Sequence, residues 1–154
     1  MRSISFFVPG LPRPAGSKRA FVIRGKAIVT DANPNIREWK NAVTHEAAEA
    51  MRLDGRGLFE GPLNLNLFFA MPRPKGHYRT GKRSGSLREN APIHHTTKPD
   101  ATKLTRGTED ALTGIVWKDD SQIASQHITK TYDDQRIGCL ICVSEIVDLS
   151  LIHI

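Results

Sequence analysis

Six stretches of this chain carry strand-like patterns and only two carry a helical stripe, which limits the architectures open to it. Leu63, Leu65, Leu67 and Phe69 alternate with Asn64, Asn66 and Phe68, so one face of that strand is apolar and must be covered. Two helices are too few for a doubly wound sheet, which needs helices on both faces. The pattern predicts a two-layer α+β domain spanning residues 1–154, with a mixed β-sheet and two main helices on one face.

The remaining elements fall around that strand. Ile4, Phe6 and Val8 form a first strand that Pro9-Gly10 ends, and residues 11–19, with two prolines and a nearby glycine pair, read as a loop. Phe21–Ile23 and Ala27–Val29 flank a turn at Arg24-Gly25-Lys26, a small hairpin. Asn33-Pro34 opens the first helix, whose stripe is Ile36, Trp39, Val43, Ala47, Ala50 and Met51, and Gly55 closes it. A second helix is expected from Ala101 to Thr113, burying Ala101, Leu104, Thr108, Ala111, Leu112 and Ile115, with Gly114 at its end. Alternation through Ile123, Ser125, His127, Thr129 and Thr131 gives another strand, and Ile137 to Ile146 the last. The order is β-(ββ)-α-β-α-β-β.

Charge points to the partner. The formal net charge is +6, yet residues 71–106 alone carry nine Lys or Arg against Glu89 and Asp100, 9 − 2 = +7. This excess lies mostly in a Pro-, Gly- and Ser-rich stretch at about 71–99, long for a loop inside a compact domain. Clustered cations gain most from phosphate backbones, through counterion release. The expected partner is therefore nucleic acid, with a solvated loop as the plainer reading. No apolar run is long enough to span a membrane. Met1 to Gly10 is too short and too alternating for a signal peptide, and two cysteines suit a reducing, cytoplasmic setting.

The basic run ends in T-K-P-D-A-T-K-L-T-R-G-T-E-D-A-L-T-G-I-V-W-K-D-D, Thr97 to Asp120. Hard divalent cations take oxygen ligands, usually one or two carboxylates completed by phosphate and water. Asp100 at the helix mouth and Asp120 beyond its end could supply them. Read alone, Asp100 would be an ordinary N-cap. Lys103 and Arg106, three apart on the exposed helix face, could hold a phosphate.

Lys98-Pro-Asp100, Lys103-Leu104, Arg106, Asp110-Ala-Leu-Thr-Gly114 and Asp119-Asp120-Ser-Gln-Ile123, together with Pro12 to Arg19 and the Trp39 helix, resemble the RusA-type Holliday junction resolvases, many of them phage-encoded. The resemblance implies a homodimeric, Mg²⁺-dependent endonuclease that nicks four-way DNA junctions in pairs, with Mn²⁺ as a substitute ion. It places the first acid on Asp100, the acid after the helix on Asp120 with Asp119 beside it, and the essential helix lysine on Arg106. It also implies a carboxylate at 102, where this chain has Thr102. Arg106 in place of lysine keeps the charge but makes it a planar fork. A basic DNA- or RNA-binding protein with a weakened site, or a metal-dependent RNA nuclease, are the alternatives.

Lys18 and Arg19, Lys82, Arg83 and Arg88, and Lys98 and Lys103 are the candidate DNA contacts. His94-His95 is expected to meet phosphate or solvent rather than a metal, and His45 and His127 to be structural or on the surface. Cys139 and Cys142, three apart on a strand, point to opposite faces and do not make a zinc site. Trp39 and Trp117 are expected to pack.

Overall fold

The computed structural model describes residues 1–16, 18–31 and 35–147. Its elements are β1 (Ser3–Pro9), β2 (Lys18–Ile23), β3 (Lys26–Asp31), α1 (Ile36–Asp54), β4 (Leu63–Met71), α2 (Ala101–Leu112), β5 (Ile123–Tyr132) and β6 (Gly138–Glu145). The order is the one the periodicities predict. Four strands form one sheet in the order β1-β6-β4-β5. β6 runs antiparallel to both β1 and β4, whereas β4 and β5 are parallel. The fold is α+β with a mixed sheet and two helices, as expected.

Lys18 and Arg19 depart from the loop reading. They open β2, pairing Lys18 with Asp31 and Arg19 with Thr30, because β3 runs far enough back to extend the ladder over them. The β2–β3 pair makes its own two-stranded sheet. The predicted helix start at Asn33-Pro34 and most of the apolar tail, residues 148–154, lie outside the described residues.

One face of the large sheet forms the core. Leu65 sits opposite Val143, Leu67 opposite Ile141 and Phe69 opposite Cys139, with Val8 of β1 beyond Cys139. Trp39, Val43 and Ala47 of α1 and Leu104, Ala111 and Leu112 of α2 close over them. Each fully buried leucine contributes about 1.5–3 kcal/mol relative to exposure. The indole of Trp39 donates to the buried Thr108 hydroxyl at 3.1 Å, which itself donates to the Leu104 carbonyl at 2.9 Å. Gly107 makes room for Ile36 at the start of α1, since a Cβ there would lie 2.7 Å from Ile36 Cδ1. The Ala15 amide donates to the Lys103 carbonyl at 3.0 Å, tying the proline-rich loop to α2. Gly55 ends α1 in the left-handed region (φ 71°), donating to Met51 O at 2.9 Å.

The long stretch between β4 and α2 has internal structure of its own. Two 3-10 turns, Lys75–His77 and Gly81–Arg83, are linked by bonds from Arg79 N to Ser86 O (2.7 Å) and from Arg88 N to His77 O (2.9 Å). The guanidinium of Arg88 also donates to Tyr78 O and that of Arg79 to Leu87 O, both at 3.1 Å. The end of the excursion docks along β5: His95 N donates to Lys130 O at 3.0 Å, and Tyr132 N to Ile93 O at 2.9 Å. Among the described residues no helix is long and apolar enough to cross a membrane.

Candidate active site

Asp100 is the N-cap residue of α2 by backbone (φ −68°, ψ 144°), but its side chain makes no capping hydrogen bond. The carboxylate is therefore not consumed by the local role that Asp most often plays at this position. Lys130 of β5 approaches from the side, donating to the carbonyl oxygens of Thr97 at 3.1 Å and Pro99 at 2.8 Å. Burial lowers the Lys130 pKa, and the charge of Asp100 opposes that shift. Sequence reasoning missed Lys130 because it lies thirty positions away with no local signature. Asp100 lines a cavity of about 440 Å³ with Arg13, Lys98, Lys103 and His95.

A second cavity, of about 700 Å³, opens between α2 and the start of β5. Thr102, Arg106 and Glu109 of α2 line it, facing Asp120 and Gln126. Positions 102, 106 and 109 share one helix face by spacing alone. Arg106 is exposed and has no ion pair with a described residue, so its charge is available to an anion.

The two adjacent acids ahead of β5 are not equivalent. Asp119 caps a 3-10 turn at Asp120–Gln122, accepting from Ser121 N at 2.9 Å. That backbone bond, above other causes, holds its carboxyl below the usual range. Gln122 returns the cap, accepting from Asp119 N at 3.1 Å and Lys118 N at 3.0 Å. Its amide donates to Phe59 O and Gly61 O at 3.0 and 3.1 Å, fastening the turn to the body of the fold. Trp117, fully buried as expected, braces the approach by donating to the Thr113 hydroxyl at 3.1 Å. Asp119 thus sets the turn, and Asp120 is the acid left facing the cavity.

Glu109 is a carboxylate the sequence reading passed over. It is half-buried, and the Gln126 side-chain amide donates to its Oε1. Burial first, then the charges of Asp120 and Asp110, push its pKa up to about 7, against the lowering effect of Gln126. The signal available was its place seven residues after Thr102. The donors around this cavity are all oxygens, the chemistry of a hard divalent cation rather than of zinc or copper. Among the described residues no three His, Cys, Asp or Glu side chains are grouped tightly enough to enclose an ion. The donor set fits an ion held by few protein oxygens and completed by water and phosphate, the usual habit of Mg²⁺. Asp100 and Asp120 line separate cavities, so the two acids singled out from sequence are not brought into one.

The cationic residues divide by place. Lys98 and Lys103 stand exposed beside Asp100, while Lys82, Arg83 and Arg88 are exposed on the excursion between β4 and α2. The backbones of Lys18 and Arg19 lie in β2. His94 is exposed as expected, but His95 is buried against the Tyr132 ring, centroids 5.0 Å apart. It was expected to meet phosphate or solvent; the docking of residues 93–95 on the edge of β5 draws it inward instead. Burial and the Lys130 charge lower its pKa, which disfavours the charged form that an anion would attract. His45 and His127 are on the surface. Cys139 is buried and Cys142 half-buried, both free, as the strand geometry predicts.

Comparison with known proteins shows the family. A protein of Bacillus subtilis (strain 168), the uncharacterized protein YqaN, is 27% identical over 135 residues, covering 88% of this chain and 92% of that protein. The family model for endodeoxyribonuclease RusA matches residues 9–142, a span that includes both helices and the cavity between α2 and β5. The chain belongs to the RusA endodeoxyribonuclease family.

Proposed function

We propose that this protein is a divalent-cation-dependent endonuclease that resolves four-way DNA junctions by paired nicks, acting as a homodimer in the cytoplasm of a bacterial or phage-infected cell. The observation that carries the reading is the cavity where Arg106, Asp120 and Thr102 converge in a chain of this family. Asp100 and Asp120 are the acids proposed to hold Mg²⁺ or Mn²⁺. Bound there, such an ion would lower the pKa of a water and offset charge on the phosphate.

The side chains divide the remaining work. Arg106, exposed and free of ion pairs with described residues, faces the scissile phosphate and neutralises charge as it builds in the transition state. Asp119 acts through the turn, holding Asp120 in place by the cap with Ser121 and Gln122. Lys98 and Lys103 lie at the helix mouth to receive the backbone on one side of the cut. Lys82, Arg83 and Arg88, with Lys18 and Arg19, extend the contact along the arms of the branched substrate. The deciding experiment compares nicking of a synthetic four-way junction with linear duplex, with and without Mg²⁺. Cation-dependent cutting selective for the junction supports the reading; no cutting of either substrate with Mg²⁺ or Mn²⁺ removes it.

A second reading, a DNA- or RNA-binding protein of the same fold with a weakened site, is favoured by one observation. Asp100 and Asp120 line different cavities, and residue 102 offers a hydroxyl instead of a carboxylate. Junction binding without nicking would select it.

A further inference from the structure

The family resemblance implies a carboxylate at residue 102, where this chain has Thr102, and another carboxylate, Glu109, lines the same cavity two helical turns later. We propose that Glu109 stands in for the missing acid, as a further carboxylate beside Asp100 and Asp120 for binding the divalent cation; this rests on the nuclease reading above.

Four features of the chain support the exchange. Thr102, Arg106 and Glu109 follow the i, i+4, i+7 spacing of one helix face, and all three line the cavity with Asp120. Helix side chains tilt toward the N-terminus, so Glu109 leans back toward Arg106 and Thr102. From 102 to 109 the helix advances about 10 Å, a gap that this tilt and the extra methylene of Glu shorten. Gln126 engages Oε1 alone, and Oε2 has no hydrogen bond to a described residue. A cavity-lining carboxylate oriented by an amide on one oxygen, with the other not so engaged, has the form of a positioned ligand.

The surrounding charges point the same way. Glu109 faces Asp120 across the cavity with Asp110 beside it on the helix, and Lys40, the cation paired with Asp110 at 3.6 Å, leaves Glu109 without an ion pair of its own among described residues. Two carboxylates that line one cavity repel one another when both are charged, and an ion between them reverses that cost. Glu109 and Asp120 would then help to hold the cation from the cavity beside α2, with Arg106 one turn toward the helix mouth to meet the phosphate.

The test titrates the full chain with Mn²⁺, following loss of the free-ion electron paramagnetic resonance signal, and reads nicking separately. Glu109→Gln keeps an acceptor for Gln126 and removes like-charge repulsion, so it should melt no lower than the parent. It should nevertheless lose at least tenfold in Mn²⁺ affinity, as Asp120→Asn should, and Thr102→Asp placed on Glu109→Gln should restore part of it. Parental Mn²⁺ affinity in Glu109→Gln, with loss in Asp120→Asn, overturns the role of Glu109 and leaves the nuclease reading standing. Parental affinity and nicking in both variants overturn the inference and the placement of the site together.

Discussion

Lys130 holds the carbonyl oxygen of Pro99 at 2.8 Å, so a strand in the sheet fixes the residue immediately before Asp100. The same ammonium reaches the Thr97 carbonyl, closing the backbone on both sides of Lys98. Lys130→Met keeps the aliphatic stem and strands two acceptors. The expected loss is about 1–3 kcal/mol in urea unfolding, with faster amide exchange from residue 95 to residue 100. Unchanged exchange in that segment would show that the strand does not fix it.

Asp100→Asn and Asp120→Asn preserve shape and remove charge. Each should cut nicking of a four-way junction by on the order of 100-fold or more, with junction binding retained. Gel-shift affinity and single-turnover nicking on the same preparations separate the two effects. Parental cutting by both variants would displace the site from these acids.

Lys82 and Arg83 are exposed in a 3-10 turn, whereas Arg88 also braces its loop through Tyr78. The cleaner probe of DNA contact is therefore Lys82→Ala with Arg83→Ala. Each lost phosphate contact should flatten the log–log salt dependence of binding by about 0.9, so the pair should lose about 1.8. A slope and affinity equal to the parent would mean that this turn faces solvent in the complex.

Acid stability should report the end of α1. Asp54 accepts from Arg56 at 2.6 Å and from Arg2 at 2.7 Å, and these partners, Arg56 foremost, hold its pKa down to about 2. Its unfolded value is about 3.9, so the unfolded chain takes up the proton first. The stabilisation is complete above about pH 4 and lost as the pH falls toward 2. Urea midpoints measured from pH 5 to 2 should decline less steeply in Asp54→Asn than in the parent.

Much of the fold was legible because burial on one face writes a period into the sequence. Leu63, Leu65, Leu67 and Phe69 and the stripe of Trp39, Val43 and Ala47 are direct products of it, and each is buried. That Thr102 and Arg106 share a helix face follows from their spacing, whereas the place of Asp120 with them was implied only by the family resemblance. The division of labour between Asp119 and Asp120 was not, since it depends on Gln122 reaching Phe59 and Gly61 across the fold. His95 gave no sign of burial because the strand edge that takes it in is distant in sequence. Glu109 was overlooked beside Asp110, whose exposed face drew the reading, although a two-turn count from Thr102 reaches it. That Asp100 and Asp120 line separate cavities could not be read from a spacing along the chain, because it depends on how α2 lies against β5.

The parallel pairing of β4 with β5 has a practical consequence. Because neighbouring parallel strands cannot be joined by a tight turn, the chain must leave one and travel back to the start of the other. That journey, residues 72–122, carries every residue proposed here to meet DNA or cation except Lys18 and Arg19. Its two feet stand on adjacent posts of one sheet, in a register set by Leu63 to Met71 against Ile123 to Tyr132. The substrate-facing equipment thus hangs from a fixed frame at both ends, and exchanging that segment between relatives should transfer junction preference where the incoming segment brings the same apolar residues to the positions of Leu104, Leu112 and Trp117.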